Sequence, residues 1–133
     1  MPYLEHNTMR LVTHHVIPGA DGATVTAIDQ PDPQAGNACH QYVIEHGRAR
    51  AFLSFQHGPI GEHGRNGAPD VAVASVLLDR ARAFAASWPG ADNEAAVKGL
   101  EDYIAATTAR TRARIAAGVE GTNAKTASEA AGV

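Results

Sequence analysis

The stretch His57-Gly58-Pro59-Ile60-Gly61-Glu62-His63-Gly64-Arg65-Asn66-Gly67 divides this chain into two kinds of sequence. Glycine stands at 58, 61, 64 and 67, every third place. Four such repeats with one proline cannot sustain a collagen helix. The glycines instead mark backbone that needs positive φ or the close approach of another group. Before this loop the apolar residues follow a period of two, and after it a helical period.

Upstream, residues 40–45 and 50–56 form the firmest β pair, with Tyr42 and Ile44 on one side. Phe52 and Ser54 alternate with Leu53 and Phe55 there, and His46-Gly47-Arg48 makes a tight connection. Residues 11–17 are β-branched and read as a short strand, to which residues 24–28 pair back as a hairpin. Residues 29–37 hold two prolines and a glycine and read as a linker or long loop.

Downstream, Pro69 and Asp70 suit a helix start. Val73, Leu77, Ala81 and Phe84 fall on one stripe, and Trp88-Pro89-Gly90 stops the helix. Asp92 is placed to cap a second helix, and Gly118 to end it. Val97, Leu100, Ile104, Thr107, Thr111 and Ile115 would line its inner face. That helix is longer than the first, so its last turns need another partner, a sister chain or the β unit. The predicted fold is α+β, a small N-terminal antiparallel β unit followed by a C-terminal antiparallel two-helix hairpin. The predicted divisions are 1–67 for the β unit and loop, 68–122 for the hairpin and 123–133 for a disordered tail.

Composition narrows the function. The net charge of −3 lacks the basic surplus that binding a DNA or RNA polymer requires. Only 5% of residues are aromatic, and many of the apolar ones are alanine. A core that light is commonly completed by copies of the same chain, so a homo-oligomer, dimer to hexamer, is expected. The single cysteine excludes an intrachain disulfide. No apolar run reaches the length of a membrane span and residues 1–10 lack a signal-type apolar stretch, so a cytoplasmic protein is expected.

The usual catalytic signatures are absent: no nucleophile elbow, no Walker loop, no His-Glu-x-x-His and no Cys-x-x-Cys. No enzymatic activity and no cofactor are expected. Seven histidines are present, several beside the β unit and loop. A metal site from His57, His63 and Glu62 is conceivable, but the histidines lack regular ligand spacing, and none is assigned. Arg110 and Arg114 lie one turn apart, where two guanidinium forks could take phosphate oxygens or simply face solvent. The glycines of the loop expose N–H groups that favour anions. Phe55 offers a stacking face, and Asn66 a paired donor and acceptor that could read a base edge. A plain strand-to-helix connection with Phe55 in the core fits the same residues.

The run Phe55-Gln56-His57-Gly58-Pro59-Ile60-Gly61-Glu62-His63-Gly64-Arg65-Asn66-Gly67 resembles a phage pattern, Phe-Gln-Asn-Gly-Pro-Ile-x-Glu-x-Gly-x-Asn-Gly. Leu78-Asp79-Arg80-Ala81 resembles the Ile-Asp-Arg-Leu segment that follows it. Arg110-Thr111-Arg112-Ala113-Arg114 and Gly118-Val119-Glu120-Gly121-Thr122 match the motif that ends the second helix. These motifs are those of the helical-hairpin group shared by phage Thoeris anti-defence and anti-CBASS proteins, and the resemblance covers roughly residues 52–122. It implies a sponge that binds host immune nucleotides, cyclic ADP-ribose isomers or cyclic oligonucleotides, in the infected bacterial cytoplasm without cleaving them. It places the ligand on Phe55, Gln56, Gly58, Pro59, Ile60, Asn66 and Gly67, with Phe55 and Asn66 on the base. Arg80, Arg110 and Arg114 would reach phosphates. His57 departs from the family asparagine and Gly61 from a common lysine. The alternative is a structural or protein-binding phage module that uses its hairpin for assembly.

Overall fold

The computed structural model describes residues 9–14, 22–120, 122 and 129. Two compact units are present. The described residues up to Gly58, with Arg65–Gly67, form one; Pro59–Gly64 and those from Ala68 onward form the other.

The first unit is a four-stranded antiparallel sheet in sequential order. Its strands are β1 (Arg10–Val12), β2 (Thr24–Ala27), β3 (Gln41–His46) and β4 (Ala49–Ser54). The first hairpin pairs Leu11 with Thr26 and Val12 with Val25, but β1 stops at Val12, short of Thr13 and His14 in the predicted strand. Residues 15–17 of the predicted first strand lie outside the described residues. In the second hairpin His46 pairs with Ala49, so Gly47-Arg48 is the whole turn. Gly47 has φ +58°, as a primed two-residue turn requires of its first central residue.

The register sorts the side chains by face. Val25, Ala27, Tyr42, Ile44, Ala51 and Leu53 share one face, and Ala27 there is fully buried. The opposite face carries Gln41 hydrogen-bonded to Ser54 and Arg50 paired with Glu45 at 3.0 Å. Phe52 is 67% exposed on that face. The sheet is thus apolar on one side, and Tyr42 meets Phe55 edge-on at 5.7 Å.

The segment read as a linker is ordered by its own aspartates. Both Asp29 carboxylate oxygens accept backbone N–H groups, from His40 at 2.9 Å and Gln41 at 3.0 Å. Asp32 caps a 3₁₀ turn, Pro33–Ala35, by accepting the Gln34 N–H, and its own N–H donates to Ala38 O.

The second unit contains a single helical turn, α1 (Ile60–His63), inside what reads as irregular loop. It continues with α2 (Asp70–Ser87) and α3 (Ala91–Ala116), joined by Trp88-Pro89-Gly90. Asn93 Nδ2 donates to Trp88 O, closing the end of α2. Gly90, not Asp92, occupies the N-cap of α3; Asp92 sits in the first turn, where its charge favours the helix dipole. Gly118 follows the helix end with φ +74°.

The predicted stripe of α2 is packed only in part, with Val73 and Ala81 partly covered. Ala74 and Leu78 are buried with Val71, Ala81 and Ala85 partly covered, whereas Leu77 and Phe84 are exposed. The spacing 71, 74, 78, 81, 85 is a heptad seam. Because α2 is apolar on more than one side, its pattern does not single out the packed face. On α3 the seam runs through Val97, Leu100, Ile104 and Thr107 as predicted, begins one turn earlier at Asn93, and then reaches Arg114 instead of Ile115. Thr111 and Ile115 are exposed. An eight-residue difference in length carries α3 about 12 Å beyond α2. Through Arg114 its last turn meets residues that follow it in the chain, Glu120, Thr122 and Glu129. Among the described residues no helix is long and apolar enough to cross a membrane.

Candidate functional site

The glycine-rich segment leaves β4 through Phe55, Gln56 and His57. Asn66 returns against it and hydrogen-bonds His57 twice: Oδ1 accepts the His57 N–H at 2.8 Å, and Nδ2 donates to the His57 carbonyl at 2.7 Å. The Asn66 N–H donates to Gln56 Oε1 at 3.0 Å, and Gln56 Nε2 donates to the Gly58 carbonyl at 3.2 Å. Two side-chain amides therefore act as peptide substitutes and fix the loop base. Asn66 spends on His57 the donor-acceptor pair expected to read a base edge.

Gly67 completes the clamp. A Cβ at this position would stand 2.4 Å from both the carbonyl carbon and oxygen of Phe55. The backbone approaches too closely for any other residue, which is the second of the two reasons glycine was expected here. Phe55 is half-buried, with its edge contact to Tyr42. In the helical unit, Pro59 is buried ahead of α1 and Ile60 is exposed at its start.

The three candidate arginines have different surroundings. Arg80 lies over the Phe84 ring at 5.4 Å, and Phe84 in turn lies 5.9 Å from Trp88. This cation and two exposed aromatics follow one face of α2 at four-residue spacing. Arg110 pairs with Glu129 at 3.0 Å and remains largely exposed. Arg114 is buried, and its guanidinium is committed within the chain. It donates to Glu120 at 3.1 Å, to Glu129, and to the carbonyls of Val119 and Thr122. The fork that suits a phosphate here holds the end of α3 to the residues that follow it.

One cluster escaped the sequence. Asp32, His40 and His57 converge at the edge of the sheet. His40 Nε2 lies 3.0 Å from Asp32 Oδ2, and His57 Nε2 lies 3.6 Å from the same oxygen. The two imidazoles stack, centroids 4.3 Å apart and planes 18° from parallel. The His40 hydrogen bond, helped by the Gln34 N–H, holds the Asp32 carboxyl below its ordinary value. Asp32 sits in an irregular loop eight residues before His40, so no spacing rule joins them. The sign in the sequence was a pair of aspartates, Asp29 and Asp32, set among Pro31 and Pro33 ahead of Cys39-His40. The histidine and carboxylate first considered together, His63 and Glu62, instead pair on α1 at 3.8 Å.

No protein-family model matches the chain. The chain is similar to Thoeris anti-defense 1 of Bacillus phage SBSphiJ7, at 28% identity over 113 residues. The match covers 84% of this chain and 80% of that protein, so it takes in the second β-strand, the clamped loop and the hairpin as far as Arg110.

Proposed function

We propose that this chain is a phage anti-defence protein that captures host immune nucleotides and holds them without breaking a bond. The observation that carries this reading is the match to Thoeris anti-defense 1 across both units, together with a loop whose geometry is fixed by Gln56, Asn66 and Gly67. A loop held this way presents preorganised groups and loses little entropy on binding. The ligand class is cyclic ADP-ribose isomers, cyclic oligonucleotides or both, countering Thoeris and CBASS signalling. Phe55 supplies the stacking face. Gln56, Gly58, Pro59, Ile60 and Gly67 supply the loop wall, and Asn66 holds the wall in shape. Arg80 and Arg110, whose guanidinium groups are exposed, are better placed for phosphate than Arg114.

The protein works as a homo-oligomer in the infected host cytoplasm. Val76, Leu77, Phe84, Trp88 and Ile115 leave substantial apolar surface on the hairpin, as an assembly face would. The same surface would serve a purely structural module, which needs no nucleotide.

The test is to incubate purified protein with cyclic ADP-ribose isomers and cyclic di- and trinucleotides. Free ligand is removed by filtration, the protein is denatured by heat, and the released material is analysed by chromatography. Release of an unchanged nucleotide supports the reading, with binding lost in Phe55→Ala. A folded protein that retains none of them refutes it, and release of a cleaved product would make it an enzyme.

A further inference from the structure

We propose that Asp32, His40 and His57 form a binding site for one divalent transition-metal ion of the zinc type. The three ligand atoms lie within 4.8 Å of one another. Two imidazoles and one carboxylate are a donor set that zinc accepts, leaving a fourth position for water. Calcium and magnesium prefer oxygen, so the two nitrogens select against them.

The distances suit this chemistry. Ligand atoms about 2.0–2.1 Å from a tetrahedral ion stand roughly 3.3 Å from each other. The observed separations from Asp32 Oδ2, 3.0 Å to His40 and 3.6 Å to His57, bracket that edge. At 3.6 Å the His57 nitrogen is beyond hydrogen-bond reach of the carboxylate it faces. Ligation at a tetrahedral angle places two imidazole centroids roughly 5 Å apart, so the stacked rings must open by about 1 Å. The His57 side chain is 61% exposed and can make that movement.

Each ligand is also held by a second contact. Asp32 Oδ1 accepts the Gln34 N–H, which leaves Oδ2 toward the imidazoles. The His40 N–H is fixed by Asp29, and the His57 backbone is gripped on both sides by Asn66. Outer contacts of this kind orient metal ligands and preorganise a site. A bound ion would tie the 29–39 loop to the strand end on which the Asn66 clamp is built. The site depends on no nucleotide, so its failure and that of the proposed function are separable.

The experiment uses the full chain without a polyhistidine tag, stripped with chelator and titrated with Co2+ and Zn2+. One Co2+ per chain should bind with the intense visible absorption of four-coordinate cobalt, and Zn2+ should displace it. Loss of an outer contact alone lowers metal affinity about 10–100-fold, so His57→Asn, which removes a ligand, should lower it by at least ~100-fold. Because His57 is exposed and its backbone makes the Asn66 bonds, this variant should fold, as its metal-free melting curve would verify. His63→Asn should bind like the parent. Absence of the cobalt band, or equal zinc affinity in folded His57→Asn and the parent, overturns the proposal.

Discussion

Replacing Gly67 by alanine tests the loop geometry most severely. The added methyl would lie 2.4 Å from the carbonyl carbon and oxygen of Phe55, and 2.8 Å from the Gln56 nitrogen. Relaxed carbon contacts sit at about 3.5–4.0 Å, so the overlap exceeds roughly 1 Å. The obstructing atoms are backbone, and no side-chain rotation relieves them. The two segments must therefore separate, which stretches the three Asn66 hydrogen bonds that join residues 56, 57 and 66. Overpacking of this kind costs about 1–3 kcal/mol, and each hydrogen bond lost adds about 1 kcal/mol. A total of about 3 kcal/mol corresponds to a fall in Tm of roughly 10 °C for a domain of this size. Gly99 provides the matched control. It lies inside α3 with nothing within 4 Å of an added Cβ, so alanine there should stabilise by about 0.5–1 kcal/mol. Thermal melting by circular dichroism of both variants in chelator reads the difference. A Gly67→Ala protein melting within about 2 °C of the parent would refute the close approach.

Asn66→Ala removes both side-chain hydrogen bonds to the His57 backbone and should cost about 1–2 kcal/mol by urea denaturation, with nucleotide capture lost. Asn66→Asp keeps the acceptor for the His57 N–H but sets a carboxylate oxygen against the His57 carbonyl, so it should recover little of that loss. Arg114→Met should destabilise by about 2–3 kcal/mol, because it removes one donor each from Glu120, Glu129 and the Val119 and Thr122 carbonyls at a buried position. Arg114→Lys should recover little of that loss, since an ammonium cannot supply the fork. Sedimentation velocity should find more than one copy per particle, and Leu77→Asp with Ile115→Asp should reduce its mass. An unchanged mass would remove the hairpin's exposed face from the assembly.

Much of the architecture was written in local patterns. Alternation over residues 40–56 determined the β3–β4 hairpin, because one face of that sheet must leave water. Gly47 determined its turn through positive φ, and Trp88-Pro89-Gly90 determined where α2 stops. Motif order alone pointed to phage anti-defence proteins, and the match to Thoeris anti-defense 1 supports that part of the reading. The packed face of α2 was decided only by tertiary structure. A helix with alanine, valine and leucine on several sides has no single apolar stripe, so contact with α3 selected Ala74 and Leu78.

The candidate site divides in the same way. The glycine-rich loop was legible as backbone under constraint, and Gly67 gave the reason: the Phe55 backbone leaves no room for a Cβ. Which groups are spent was not legible. Asn66 and Arg114 each have donors suited to a ligand, and only the fold assigns those donors to His57, Glu120 and Glu129. Asp32, His40 and His57 could be joined by tertiary structure alone. They come from an irregular loop, the edge of one strand and the end of another, and the sheet register sets their distances, for which sequence spacing carries no rule.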